Sequence, residues 1–291
     1  YKEAATGSTF QWQSSDQWGQ TFGFNPNYGG IPRNVYLHVT DPSYQTFPLY
    51  SSMGTIGTYV YAGNFNISGG SATINVECQV QNSYSNSRNL HIQVDLVDMD
   101  GNQVTSFTSG SNTINSGGRL IYTASSNVSG LYFYEWRYAY LYDVYIILKQ
   151  DSTVLDVQKI RTGFRKTQRI GGSLQINDRT IQLNGYAQRS QNEWPAIGNG
   201  FPVWMSDFSN KLMVDGNAKL VRWMHVAPSK QDIEACDRAG LFQTVPAGDK
   251  ESDASGRWWE QRVELMRDIM IYNRNNPSVL LYETGKARIS E

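Results

Sequence analysis

Thr73-Ile74-Asn75-Val76-Glu77-Cys78-Gln79-Val80 alternates polar and apolar side chains. Successive side chains of an extended chain point to opposite faces, so this stretch reads as a strand with one buried face. Leu90 to Val97 repeats the pattern, and Asp100-Gly101 supplies the turn that returns the chain along Gln103-Val104-Thr105. Tyr142 to Leu148 and Val154 to Ile160 are further strands, joined by the polar turn Gln150-Asp151-Ser152. Short strands with turn signals between them predict an antiparallel sandwich, and residues 55–162 have about the length of one immunoglobulin-like domain. The Cys–Trp–Cys framework of true immunoglobulin domains is missing, so the architecture alone is implied. On the amino side, Phe10-Gln11-Trp12 and Val35-Tyr36-Leu37-His38-Val39 are strand-like, and Gly29-Gly30-Ile31-Pro32 is a turn or loop. So few strands do not close a sandwich. Residues 1–52 are therefore an incomplete all-β unit or one that leans on a neighbour.

Beyond about residue 165 the rhythm becomes strand, helix, strand, helix. Ile181 to Ala187 is a strand candidate. Met205 to Asp215 follows as a short helix with Phe208, Leu212 and Met213 on one face and Gly216 at its C-terminal cap. Lys219 to Met224 is the next strand. Ser229 then caps a helix, with Asp232 completing a capping box, Ile233 and Cys236 facing inward and Gly240 ending it. Leu241 to Val245 is a third strand, Arg257 to Asn273 a longer helix with a Val263, Met266, Ile269, Met270 stripe, and Ser278 to Tyr282 a fourth, nearly all-apolar strand. Successive βα repeats predict a parallel sheet or part of a (β/α)₈ barrel.

Composition narrows the function. The 291 residues carry 26 acidic and 25 basic side chains, so the chain lacks the basic footprint of a nucleic-acid binder. No apolar run approaches the ~20 residues a membrane helix needs. The start, Tyr1-Lys2-Glu3-Ala4-Ala5, has neither an initiating Met nor the apolar core of a secretory signal, as a processed or cut end would read. Cys78 and Cys236 exclude a small disulfide scaffold and a cysteine-rich zinc site, and three histidines leave any metal to oxygen ligands.

In parallel βα architectures the active site lies at the carboxyl ends of the strands. The residues there are Arg189, Asn192, Glu193 and Trp194 after the first strand, His225 after the second, Asp249, Lys250 and Glu251 after the third, and Glu283, Lys286, Arg288 and Glu291 at the fourth. Hydrogen-bonding groups beside an indole suit a sugar. Each residue also has an ordinary reading. Arg189 and Glu193 make a loop ion pair, His225 a satisfied strand-end histidine, and the 249–251 cluster a solvated loop. Glu283 is the sharpest case, because a carboxylate that ends the run Val279-Leu280-Leu281-Tyr282 is costly to bury unless paired. Trp258-Trp259 and Cys236 read as packing.

A series of short motifs, in order, resembles the family 2 glycoside hydrolases, the β-galactosidase-like enzymes. Gly29-Gly30-Ile31-Pro32-Arg33-Asn34-Val35-Tyr36-Leu37 resembles the end of their sugar-binding jelly roll. Trp136 to Tyr142 resembles their immunoglobulin-like domain, and Gly163-Phe164-Arg165-Lys166 the strand that leads into their barrel. Leu183-Asn184-Gly185-Tyr186, Val221-Arg222-Trp223-Met224-His225, Cys236-Asp237-Arg238-Ala239-Gly240-Leu241 and Asn273-Arg274-Asn275-Asn276-Pro277-Ser278-Val279 resemble successive barrel segments. The resemblance implies three parts: residues 1–52 as the tail of a jelly roll, 53–166 as an immunoglobulin-like β-sandwich and 167–291 as the first half of a (β/α)₈ TIM barrel.

The activity it implies is retaining, exo-acting hydrolysis of terminal β-galactosides from oligosaccharides or galactans. The alternatives are a β-glucuronidase or β-mannosidase of the same family, a non-catalytic carbohydrate-binding protein, or a structural sandwich pair with a decayed barrel. Retention uses two carboxylates ~5–5.5 Å apart. Glu283 is the acid/base candidate, with Glu291 as second choice, and Arg189, Asn192, Glu193, His225 and Lys286 contact substrate. The family's Asn-Glu pair falls on Lys286 and Ala287, and alanine transfers no proton; Glu283 shares that strand parity, ~13 Å lower if extended. The nucleophile belongs to a seventh barrel strand, so the chain reads as a fragment, inactive and aggregation-prone alone. The resemblance also implies an Mg²⁺ or Na⁺ ion near the site, although no ligand cluster demands one. The partners are a β-linked oligosaccharide and, in the full-length enzyme, a second copy in a homo-oligomer; nucleic acid and membrane are not among them. The compartment implied is bacterial, periplasmic or secreted, with the cytoplasm left open.

Overall fold

The computed structural model describes residues 34–189, 200–224, 227–247 and 255–284. The chain is mostly β-sheet. In order come β1 (Ser43–Gln45), a single helical turn α1 (Tyr50–Met53), β2 (Thr58–Asn66), β3 (Ser71–Asn82), β4 (Arg88–Val97), β5 (Gln103–Thr108), β6 (Asn112–Ile114), β7 (Arg119–Ser129), β8 (Tyr142–Gln150) and β9 (Thr153–Thr162). They build two antiparallel sheets. In one, β1 and β2 share an edge of β3 and β7 takes the other; the second runs β5-β4-β8-β9, with β6 beside β5 on β4.

The alternation read from the sequence is the packing itself. Ile74, Val76, Cys78 and Val80 of β3 form one core with Leu90, Ile92, Val94 and Leu96 of β4 and Val144, Ile146 and Leu148 of β8, while the residues between them face outward. The Asp100-Gly101 turn closes the β4–β5 hairpin, with Gly101 at φ 86°. Asp98 ties that turn by accepting from the backbone N–H groups of Asp100 and Asn102, which hold its carboxyl below the usual carboxylate range.

A small antiparallel sheet follows, β10 (Thr167–Ile170), β11 (Ser173–Ile176) and β12 (Arg179–Thr180). Then come β13 (Gly185–Gln188), α2 (Val203–Asp215), β14 (Leu220–Trp223), α3 (Lys230–Ala239), β15 (Phe242–Pro246), α4 (Arg257–Asn273) and β16 (Val279–Glu283). Strands β13 to β16 pair in parallel, in sequence order. Gly185 has to be glycine: a Cβ there would sit 2.0 Å from the Leu220 carbonyl oxygen on β14. Ser229 caps α3 by accepting from the Asp232 N–H, and Gly240 ends it in the left-handed region.

Three sequence readings need correction. Val35 to Val39 is not a strand; Leu37 is 90% exposed, and the stretch finds no ladder among the described residues. The first parallel strand begins at Gly185 rather than Ile181, because the chain is held back in the β11–β12 hairpin. Helix α2 buries Met205, Ser206, Asn210 and Val214, whereas Phe208 and Leu212 are half exposed. The physical reason is the neighbour: α2 meets α3 partly through polar pairs, with Ser206 Oγ donating to Asp232 and Gln231 donating to Ser206. That contact turns the Phe208 side away. On α4, Met266 and Ile269 are buried, while Val263 and Met270 lie at the edge. The readings at Phe10-Gln11-Trp12 and Gly29-Gly30-Ile31-Pro32 lie outside the described residues.

Sandwich and parallel sheet are joined by side chains that reach across to backbone. Trp136 Nε1 donates to Ala218 O, Arg137 Nη2 to Val214 O, Tyr134 Oη to Cys236 O and Arg165 Nε to Pro277 O. Asn275 donates to Thr58 O and accepts from Val60 N. Buried carbonyls at the ends of helices and strands thereby find partners they would otherwise lack.

Candidate active site

The carboxyl ends of β13 to β16 bring Gln188, Met224, Ala247 and Glu283 to one rim. Arg222 on β14 is level with Thr244 on β15, and Thr244 with Leu281 on β16; Glu283, two residues on, shares their face. The long arginine side chain spans the gap. Arg222 Nε donates to Glu283 Oε2 at 2.8 Å and Nη2 to Oε1, a fork-on-carboxylate pair. The Glu283 side chain is only 19% exposed. Its position at the end of an apolar run is therefore compensated by Arg222, 61 residues earlier. Arg222 was no candidate in the residue-by-residue reading. Its signal was the Val221-Arg222-Trp223 motif, where an arginine interrupts an apolar strand.

Geometry limits what Glu283 does in this state. Both carboxylate oxygens are taken by the guanidinium. Meeting a glycosidic oxygen requires at least one of them to be released. Arg189, just beyond β13, is half buried; its neighbour Gln188 donates to Ser209 Oγ of α2, which fixes the start of the loop. Asn192, Glu193, Trp194, His225, Asp249, Lys250, Glu251, Lys286, Ala287, Arg288 and Glu291 lie outside the described residues. Of the sequence candidates, Arg189 and Glu283 are thus placed on the rim. Trp259 is half exposed on the first turn of α4.

The carboxyl group with the large upward shift lies elsewhere. Asp237, at the end of α3, accepts from Ser278 N, Ser278 Oγ and Asn276 Nδ2 at the amino end of β16. Burial pushes it up to about 6, against the lowering effect of those donors. Perturbation alone would have pointed to the wrong end of the sheet; Asp237 is a clasp between α3 and β16. Among the described residues no group of His, Cys, Asp or Glu side chains gathers to hold a metal ion. No helix of the described residues is long and apolar enough to cross a membrane.

Comparison with known proteins follows the same line. Residues 58–165 match the model of the glycosyl hydrolases family 2. A protein of Formosa agariphila named beta-glucuronidase is 34% identical over 269 residues, 92% of this chain and 27% of its own length. An Oenococcus oeni beta-galactosidase is 25% identical over 56% of this chain and 17% of its own. The solved structure of a beta-glucuronidase from glycoside hydrolase family 2 superposes with TM-score 0.79 at 32% identity, covering 84% of this chain and 26% of that one. Bacteroides uniformis beta-glucuronidase shares the fold at TM-score 0.72 and 17% identity, over 84% of this chain and 29% of that one. The chain thus spans about a quarter of the length of these two beta-glucuronidases above 30% identity.

Proposed function

The chain belongs to the family 2 glycosyl hydrolases, and on that premise we propose that the full-length protein removes a terminal β-linked sugar from an oligosaccharide with retention, a glucuronide in the first place. The observation that carries the choice of sugar is the 34% identity along 92% of this chain to a protein named beta-glucuronidase. The galactoside preference read from the sequence stays as the second reading, supported by relatives named beta-galactosidase at 22–25% identity over about half the chain.

The parallel sheet is, in this reading, the first half of a (β/α)₈ barrel, with the nucleophile supplied by the other half. Strict sequence order of the strands supports it, as do the outer edges of β13 and β16, unpaired among the described residues. Arg189, Asn192, Glu193, His225 and Lys286 are the substrate contacts we assign to the rim, and Glu283, freed from Arg222 by the incoming sugar, the proton donor. A hydroxyl or carboxylate of the substrate competing for the Arg222 fork would supply that release.

The test is a comparison of nitrophenyl β-D-glucuronide and β-D-galactoside with the full-length enzyme. The glucuronide is expected to give the higher kcat/KM by at least ~100-fold, a gap of ~2.7 kcal/mol in transition-state stabilisation. The reverse order returns the galactoside reading. Glu283→Gln separates the roles of the carboxylate. In kcat/KM, which reports the glycosylation step, loss of the proton donor slows poor leaving groups ~10²–10⁴-fold and spares nitrophenolate, which needs no proton. Equal losses on both substrates would reduce Glu283 to the partner that positions Arg222.

A further inference from the structure

On the face of β16 opposite Glu283, a cavity of about 690 Å³ opens between the sandwich and the helix α4. Tyr59 and Tyr61 of β2, Arg165, Met270, Arg274 and Tyr282 are among the residues that line it. The described residues that line it include two arginines, three tyrosines and no Asp or Glu.

Neither guanidinium has a carboxylate partner among the described residues. Arg165 is committed to neutral acceptors: Pro277 O and Val279 O, both at 2.7 Å, and the Thr167 hydroxyl. Arg274 donates from Nη2 to Ile56 O at 2.6 Å and lies 4.8 Å over the Tyr59 ring, which stacks on Tyr61. Its buried Nε has no partner. Glu77, the acidic side chain that acts on Arg274, accepts from the Tyr61 hydroxyl and does not line the cavity. Burial holds both guanidinium groups below their ordinary pKa, yet arginine stays charged in proteins. Asp237 and Glu77 act on Arg165 and Arg274 only from outside the cavity lining, and two partly desolvated guanidinium groups without a bonded carboxylate are costly. A guanidinium fork is matched by a carboxylate, the tyrosine hydroxyls by sugar hydroxyls, and the volume by a ligand of one or two rings.

We propose that this cavity is a carboxylate-binding site, sized for a sugar acid, built at the junction of the sandwich and the parallel sheet and separate from the rim that carries Glu283. The site stands whichever sugar the rim cleaves.

Isothermal titration of the full-length protein with D-glucuronate, with D-glucose as the neutral control, tests it. Glucuronate is expected to fill one site more than the rim accounts for, with affinity falling as salt rises, and glucose not to fill it. Arg274→Gln should weaken that extra site at least about tenfold while kcat/KM on the nitrophenyl substrate stays unchanged. Met270→Trp, which occupies the cavity without altering a charge, should do the same and covers the case in which Arg274→Gln fails to fold. Crystals of the full-length protein identify the other source of the same chemistry. An Asp or Glu side chain of its own within ~3 Å of the Arg274 guanidinium would make the carboxylate internal, with Arg274→Gln then lowering the melting temperature instead. Equal glucuronate stoichiometry in wild type and both variants, together with crystals showing no carboxylate at the guanidinium, overturns the proposal.

Discussion

Asp237 shows how one buried carboxyl group ties stability to pH. Its folded value of about 6 lies above the ordinary 3.8, so between those values the folded chain holds a proton that the unfolded chain has lost. The unfolding free energy therefore falls as pH rises through this window, the reverse of a salt-bridged carboxylate. A rise of about two units corresponds to at most ~3 kcal/mol. Asp237→Asn removes the titration and keeps an oxygen for the Ser278 N–H. We expect the stability of the variant relative to wild type to increase from pH 4 to pH 7.5 by up to that amount, read from urea unfolding at the two pH values. Parallel pH profiles would assign the proton to another group. Glu283 is the contrasting residue. Its site candidacy was legible because a carboxylate closing an apolar strand demands a partner, but the partner was not. Arg222 lies on another strand, and no local period links two residues that only the parallel register brings level.

Elements were legible where one neighbour decides the burial. Strands β3 and β4 bury every second side chain against a single core, so their alternation was enough to place them. Helix α2 departs from its apolar pattern, because Ser206 and Asn210 are among the residues covered while Phe208 and Leu212 are half exposed. Amphipathicity does not show that a helix–helix contact is made through hydroxyl and carboxylate groups. The α3 terminus was legible from Gly240, and the structure adds a reason beyond the cap. Its φ is +65°, and a Cβ there would lie 2.7 Å from the Arg137 backbone nitrogen, in the loop that also donates to Gly240 O. Gly240→Ala thus meets both left-handed strain and a backbone that cannot yield without loosening the sandwich from the sheet. We expect a loss of ~2–4 kcal/mol by urea unfolding. Gly172→Ala is the control: φ is +83° with nothing within 4 Å of the added Cβ, so strain alone, ~1 kcal/mol, should appear. Equal costs at the two glycines would mean that the contact with Arg137 carries no energy.

At the scale of the whole molecule, two well-packed bodies share an interface of side chains clasping backbone carbonyls, yet one of them presents open surfaces. The outer edges of β13 and β16 are unpaired among the described residues, and Leu281 on β16 is half exposed. Trp204, Phe208 and Leu212 recur every four residues along α2, all half exposed or more, with Trp204 at 63%. A helix stripe of that kind faces a neighbour in a closed ring of helices. Unpaired parallel edges beside it invite pairing with another chain. Expressed as these 291 residues, the protein is expected to self-associate at micromolar concentration, measured by light scattering on a sizing column. Exchanging Phe208 and Leu212 for glutamate should shift it toward the monomer, because charge on the stripe opposes the contact. In the full-length protein the same pair of substitutions should act in the opposite direction. There the stripe would be covered, and burying two unpaired carboxylates would cost several kcal/mol and lower the melting temperature. A monomeric 291-residue chain, with full-length variants as stable as wild type, would show that nothing covers α2, and the half-barrel reading would lose that support.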